Sequence, residues 1–262
     1  MGKESRQLTK IAESCYRFVE DRLGPVSRKR VGILLCATER EYAKTTSLHH
    51  KKWSVAAAMP EPNLIVLKSR SAMRGIGYDP ARIVTHELAH IAVGSLNVPV
   101  WFNEGLAMFT AGEMSWNRNL KVAWHSVSHN LLPLADLESE FPSGESAAAL
   151  AYAESISVVS FLASLGDGPS TLRDILALMR QGDDFDEAIR KRLRIAPSQI
   201  ERLWKRMLRK NRADLVIVVT SSGVTFFMTL LVVIAYARHR QRARTKLEAW
   251  AEQDRQMSYK DR

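Results

Sequence analysis

At 262 residues, 46% of them apolar, the chain is long enough for one sizeable domain with an accessory segment and too apolar for wholesale disorder. Its net charge of +10 invites a nucleic-acid reading, but residues 190–262 hold 18 Lys and Arg against 6 Asp and Glu, while the first 189 residues hold 20 against 22. The basicity is a C-terminal property of an otherwise nearly neutral protein, and no stacking aromatics accompany it, which excludes a nucleic-acid binder.

The first element is a helix over 5–23. Leu8, Ile11, Ala12, Cys15, Phe18, Val19 and Arg22 recur at helical spacing, and Gly24-Pro25 stops it, so residues 1–29 read as an N-terminal helix. This stretch has no apolar h-region, and Arg6 stands where a myristoylation signal after Gly2 wants Ser or Thr. "RVGILLCA" (30–37) is a strand, and Thr38 with Glu41 forms a capping box opening a short helix. "WSVAAAM" and "NLIVLKS" flank a Pro-Glu-Pro turn as two further strands, after a polar loop holding His49 and His50. Cys15 and Cys36 read as small buried thiols. From residue 80 the pattern is helical throughout, near 80–94, 100–111, 117–130, 146–165, 170–181, 184–194 and 197–211. Strands first and helices afterward predict an α+β fold, a small N-terminal sheet followed by a mainly helical domain.

The chemistry concentrates in "VTHELAHIAVGSLNVPVWFNEGLAMF", residues 84–109. Asp79 as N-cap, Pro80 at the first helical position and Gly94 as stop delimit a helix. On it His86 and His90 lie one turn apart on one face, so their imidazoles can converge on a single ion. Glu87 is rotated about 100° from His86, which lets its carboxylate lie beside the metal as general base without being a ligand. HExxH arises by accident in on the order of one chain in a hundred of this length, so its surroundings must decide. Here the helix is apolar nearly all round, and two buried histidines beside a buried glutamate are costly unless something pairs with them. A zinc ion would resolve that cost, but it needs a third protein ligand. The pattern HExxHxxGxxH fails, since residues 93 and 96 are Val and Leu. Glu104, isolated among Val100, Trp101, Phe102, Leu106, Met108 and Phe109, is the better candidate, brought back by a second helix after the short loop 95–99. Asn103 beside it is expected to contact backbone near the site. His125 and His129 are also four apart but enclose no glutamate, and they read as a polar helical face.

HELAH followed by a glutamate in W-F-N-E-G-L-A resembles the gluzincin branch of zinc metallopeptidases, and more narrowly the peptidase MA-like domains of bacterial membrane-associated proteins. The similarity covers about residues 30–210 and takes in "AYAESISVVSFL". It implies a zincin-like domain over 30–211, with His86, His90 and Glu104 binding one zinc ion and Glu87 as general base. It also implies Tyr152 as a phenol that stabilises the oxyanion of the tetrahedral intermediate. Where thermolysin-like enzymes have an acidic residue one turn after the third ligand, this chain has Met108, which leaves the group orienting the imidazoles unassigned. An extended peptide or protein substrate would pair with a strand of the small sheet, 53–58 or 64–68.

"LVIVVTSSGVTFFMTLLVVIAYA", residues 215–237, runs 23 residues without a charge. As a helix it would extend roughly 34 Å, enough to cross a ~30 Å hydrocarbon core. Basic blocks flank it on both sides, with nearly equal counts that leave its orientation open, and 238–262 is a basic polar tail. As it stands the sequence reads as a single-pass, tail-anchored zinc metallopeptidase with its domain in the cytoplasm; a start further upstream would allow export instead. The rival reading is a catalytically silent zinc-binding scaffold or receptor at the membrane. Oligomeric state is not legible.

Overall fold

The computed structural model describes residues 2–46, 54–73, 79–113, 131–137, 141 and 144–210. The expected membrane span, the basic tail, the 117–130 helix with His125 and His129, and the loop with His49 and His50 lie outside them. The chain divides into two compact units, Met1–Leu208 and Arg209–Arg262. The first is an α+β unit, mainly helical with a three-stranded sheet.

Helix α1 (Gly2–Leu23) buries Leu8, Cys15, Val19 and Leu23, with Ile11 and Ala12 half-buried between them. Successive four-residue steps carry this stripe around the helix by about 40° each. Phe18 and Arg22, which share the helical spacing, are left at its solvent margin. Phe18 is 41% exposed, and the Arg22 guanidinium lies 4.9 Å from its ring centroid. Cys15 and Cys36 are buried free thiols, as the sequence suggests.

Strands β1 (Gly32–Cys36), β2 (Ala56–Met59) and β3 (Leu64–Lys68) form the sheet in the order β1-β3-β2. β3 pairs parallel with β1, Ile33 opposite Ile65, and antiparallel with β2, Ala57 opposite Val66. Its side chains alternate between two faces. Ile65 and Leu67 enter the main core, while Val66 joins Cys36, Tyr42 and Ala57 in a small second cluster under α2 (Glu39–Thr45). Lys68 is buried on that side, its ammonium 2.7 Å from Glu39 and 4.6 Å from the centre of the Tyr42 ring. The capping box opening α2 is offset by one residue. Thr38 Oγ1 accepts from the Glu41 amide, but the Glu41 carboxylate accepts from Ala37 N–H rather than from Thr38.

Helix α3 (Pro80–Val93) has the expected ends: Asp79 accepts from Arg82 N–H, and Gly94, at φ 59°, donates its amide to the His90 carbonyl. It packs on α1 and β2 and against α4 (Val100–Thr110). The helices α5 (Glu145–Ser164), α6 (Pro169–Arg180) and α7 (Phe185–Leu193) follow, and residues 200–210 form α8 after a 3-10 turn at Pro197–Gln199. Arg180 ties these layers together, its guanidinium donating to the carbonyls of Leu23, Pro25 and Ala92 at the ends of α1 and α3. Among the described residues one helical stretch, Ser146–Ser164, is long and apolar enough to cross a membrane, but it is mostly buried and forms the centre of the core.

Within that helix Glu154 is fully buried. Its Oε1 accepts from Leu132 N–H at 3.1 Å, while Oε2 has no hydrogen-bond partner. Burial pushes this carboxyl up to about 7, against the lowering effects of the Leu132 amide and Lys205.

The contact of α4 with α5 fixes the site. A Cβ at Gly105 would lie 2.4 Å from the Ser155 carbonyl oxygen and 2.7 Å from Val159 Cγ2, so only glycine permits this approach. Gly105→Ala is expected to force the helices apart, destabilising the domain by about 1–3 kcal/mol and lowering Tm by on the order of 5 °C. Calorimetry checks this; an unchanged Tm would show that the backbones separate without cost.

Candidate metal centre

Three side chains from two helices meet at one point. His86 and His90 come from successive turns of α3, and Glu104 from the middle of α4. Their potential ligand atoms all lie within 4.8 Å of one another. His86 Nε2 and His90 Nε2 are 3.2 Å apart, and Glu104 Oε2 is 3.8 Å from each. Tetrahedral zinc with bonds of ~2.1 Å separates its ligand atoms by roughly 3.4 Å, between these two spacings.

The other ring nitrogens explain why those atoms face inward. His86 Nδ1 lies 2.9 Å from Glu113 Oε1, and His90 Nδ1 lies 2.9 Å from Asn103 Oδ1. A carboxylate and an amide oxygen only accept, so both Nδ1 atoms carry protons and donate outward. The two Nε2 atoms and the Glu104 oxygen are then three acceptors turned toward one space, an arrangement that calls for a cation. Burial works against charging His86. The hydrogen bond to Glu113 and the carboxylates of Glu87, Glu113 and Glu104 outweigh it and push the imidazole up to about 9. Without a metal, a proton on His86 Nε2 can bridge to His90 Nε2; a metal must displace that proton.

Glu113 is absent from the sequence-level reading, and Asn103 holds His90 rather than backbone. The chain reaches Glu113 through a turn that closes α4: Gly112, at φ 66°, donates to Phe109, and Glu113 N–H donates to Met108 at 2.9 Å. This is a Schellman turn, and it swings the residue after the glycine back toward α3. The acidic partner missing at Met108 is thus supplied five residues later, from beyond the helix. The glycine two residues past Thr110 was the available signal.

Glu87 lies on the buried side of α3, 8% exposed, and its charge acts on His86, Tyr42 and Tyr152. Tyr152 is half-buried on α5, on the same face as Ser155 and Val159, which pack against Gly105. Its ring meets Phe141 edge-on, centroids 4.8 Å apart. Burial first, then the carboxylates of Glu104, Glu87 and Glu113, push its phenol well above the usual range, so it remains a hydrogen-bond donor at any ordinary pH.

A mainly helical α+β domain whose His-His-Glu cluster, drawn from two packed helices, could hold a metal ion defines a class of candidate metalloprotein. The family model described as the Peptidase MA superfamily matches residues 16–210, and the chain belongs to that superfamily. No curated protein matches the sequence.

Proposed function

We propose that this protein is a membrane-anchored zinc metallopeptidase of gluzincin type. The observation that carries the reading is the trio of converging acceptors, His86 Nε2, His90 Nε2 and Glu104 Oε2, each imidazole held from behind by an acceptor of its own. His86, His90 and Glu104 would hold one zinc ion, with Glu113 and Asn103 fixing the rings. When bound, zinc supplies a Lewis acid that polarises the scissile carbonyl and lowers the pKa of water toward neutrality. Glu87 takes a proton from the attacking water and returns it to the leaving amine. Tyr152, kept protonated, donates to the oxygen that gains charge in the tetrahedral intermediate.

Of the two strands considered for substrate, β3 is paired on both sides and cannot accept another strand. β2 is an edge among the described residues and packs against α3. Val55 O accepts from Lys68 N–H, so the alternate residues Ala56 and Ala58 direct their backbone groups toward the free edge. An extended peptide would pair there. The catalytic unit runs to about residue 211, the uncharged stretch 215–237 supplies the membrane span, and 238–262 is a polar tail.

The test is metal content together with hydrolysis of a peptide mixture. About one zinc per chain is expected, with cleavage abolished by a chelator and restored by added zinc. Absence of bound metal would sink the proposal, and zinc without cleavage would favour the silent scaffold.

A further inference from the structure

Residues 131–137 form a short connector outside the sheet, so its backbone amides must find acceptors elsewhere. Two carboxylates from two helices supply them. Leu132 N–H donates to Glu154 Oε1 on α5, and Leu134 N–H donates to Glu201 Oε2 on α8, each at 3.1 Å. Pro133 between them has no amide to satisfy. Beyond it the chain winds into the 3-10 helix Leu134–Leu137, which packs against α4 and buries Leu134 and Leu137. The next described residue, Phe141, meets the Tyr152 ring edge-on. Tyr152 and Glu154, two residues apart, point about 200° apart around α5. The chain is thus tied to one face of this helix at Leu132 and braces the phenol on nearly the opposite face at Phe141.

We propose that Glu154 is a positioning residue, which latches residues 131–137 across α5 and, through Phe141, steadies the Tyr152 ring. This rests on the reading of Tyr152 as the oxyanion donor. The latch responds to a proton. With the connector seated, Glu154 is fully buried and its Oε2 meets no donor, which costs far more for a carboxylate than for a carboxylic acid. Burial does most to raise this carboxyl; the Leu132 amide and Lys205 lower it, and Glu201 raises it. Among the described residues no titratable group of α4 or α6 acts on it. With the connector lifted, water reaches Oε2 and the carboxyl returns toward its ordinary range. The seated state therefore binds the proton more tightly. Its advantage is complete below the ordinary carboxylate pKa, is lost as pH rises to about 7, and stays low above that.

Hydrogen exchange of the full chain, read by mass spectrometry and corrected for the intrinsic rate at each pH, tests the latch. Protection of residues 131–137 should fall roughly tenfold or more between about pH 5.5 and 8, while the core of α5 (156–162) holds steady. Glu154→Gln keeps an oxygen for Leu132 N–H but cannot ionise, so its protection should not change with pH. Glu201→Gln removes a charge that raises the Glu154 carboxyl, and should move the fall to lower pH. A flat wild-type profile, the same fall in Glu154→Gln, or an unmoved fall in Glu201→Gln would overturn the latch. The zinc-loaded protein tests the link to Tyr152. Above about pH 7, Glu154→Gln should exceed wild type in kcat by about twofold or more at unchanged KM, and a Tyr152→Phe background should abolish the difference. Equal kcat at every pH would overturn the positioning role. Absence of cleavage by wild type would fail the peptidase reading alone, since exchange decides the latch without turnover.

Discussion

Glu87→Gln is expected to keep zinc at about one ion per chain while lowering kcat/KM by 10²–10⁴-fold or more, the range for removing a positioned general base. The amide is nearly isosteric with the carboxylate but cannot accept a proton from water and pass it on. Metal retention follows from the electrostatics of the site. The Glu87 charge helps hold the proton on His86, so neutralising it lowers the His86 pKa and eases displacement of that proton by the metal. The fold should tolerate the change, because an amide is less costly than an ionised carboxylate at a position 8% exposed. Metal analysis beside steady-state kinetics separates the outcomes. Activity within a few-fold of wild type would remove Glu87 from the reaction, and loss of zinc would give it a structural role instead.

How much of this was legible in the sequence depends on the range of the physics involved. The frame of α3 is local. Asp79, Pro80 and Gly94 set its ends within a turn of themselves, and the i, i+4 spacing of His86 and His90 needs no other part of the chain. Glu104 was legible one step further out, as a lone charge in an apolar helix that demands a partner. The same signal stands at Glu154, in "AYAESISVVSF", yet its partner is the Leu132 amide, 22 residues away. An isolated buried carboxylate announces a cost without saying what meets it. Glu113 was hidden because it lies outside α4, and helical periodicity carries no information past the Gly112 turn. Which of β2 and β3 lies at the sheet edge among the described residues was hidden too, since it depends on β1 pairing with β3 rather than with its neighbour in sequence.

Glu104→Ala and Glu113→Ala should weaken zinc binding to different degrees and with different pH dependence. Removing Glu104 deletes one of three proposed ligands and the only negative one, and should cost well over about a hundredfold in affinity. Removing Glu113 leaves all three in place and frees only the ring of His86, for which about 10–100-fold is the usual range. Burial disfavours charge on His86, and the Glu113 hydrogen bond is the strongest of the influences that overcome it, while Glu104 contributes the least. In wild type, zinc competes with the His86 proton until the pH passes about 9, so apparent affinity climbs steadily from pH 7 to 9. Without Glu113 that proton leaves at lower pH and the climb levels off early. The deficit of Glu113→Ala relative to wild type should therefore be smallest near pH 6–7 and widest near pH 9. Glu104→Ala should show a large deficit across the whole range. Competition titrations with a zinc indicator at several pH values measure both curves. If the two variants gave superimposable profiles, the assignment of Glu104 as ligand and Glu113 as the group orienting His86 would fail together.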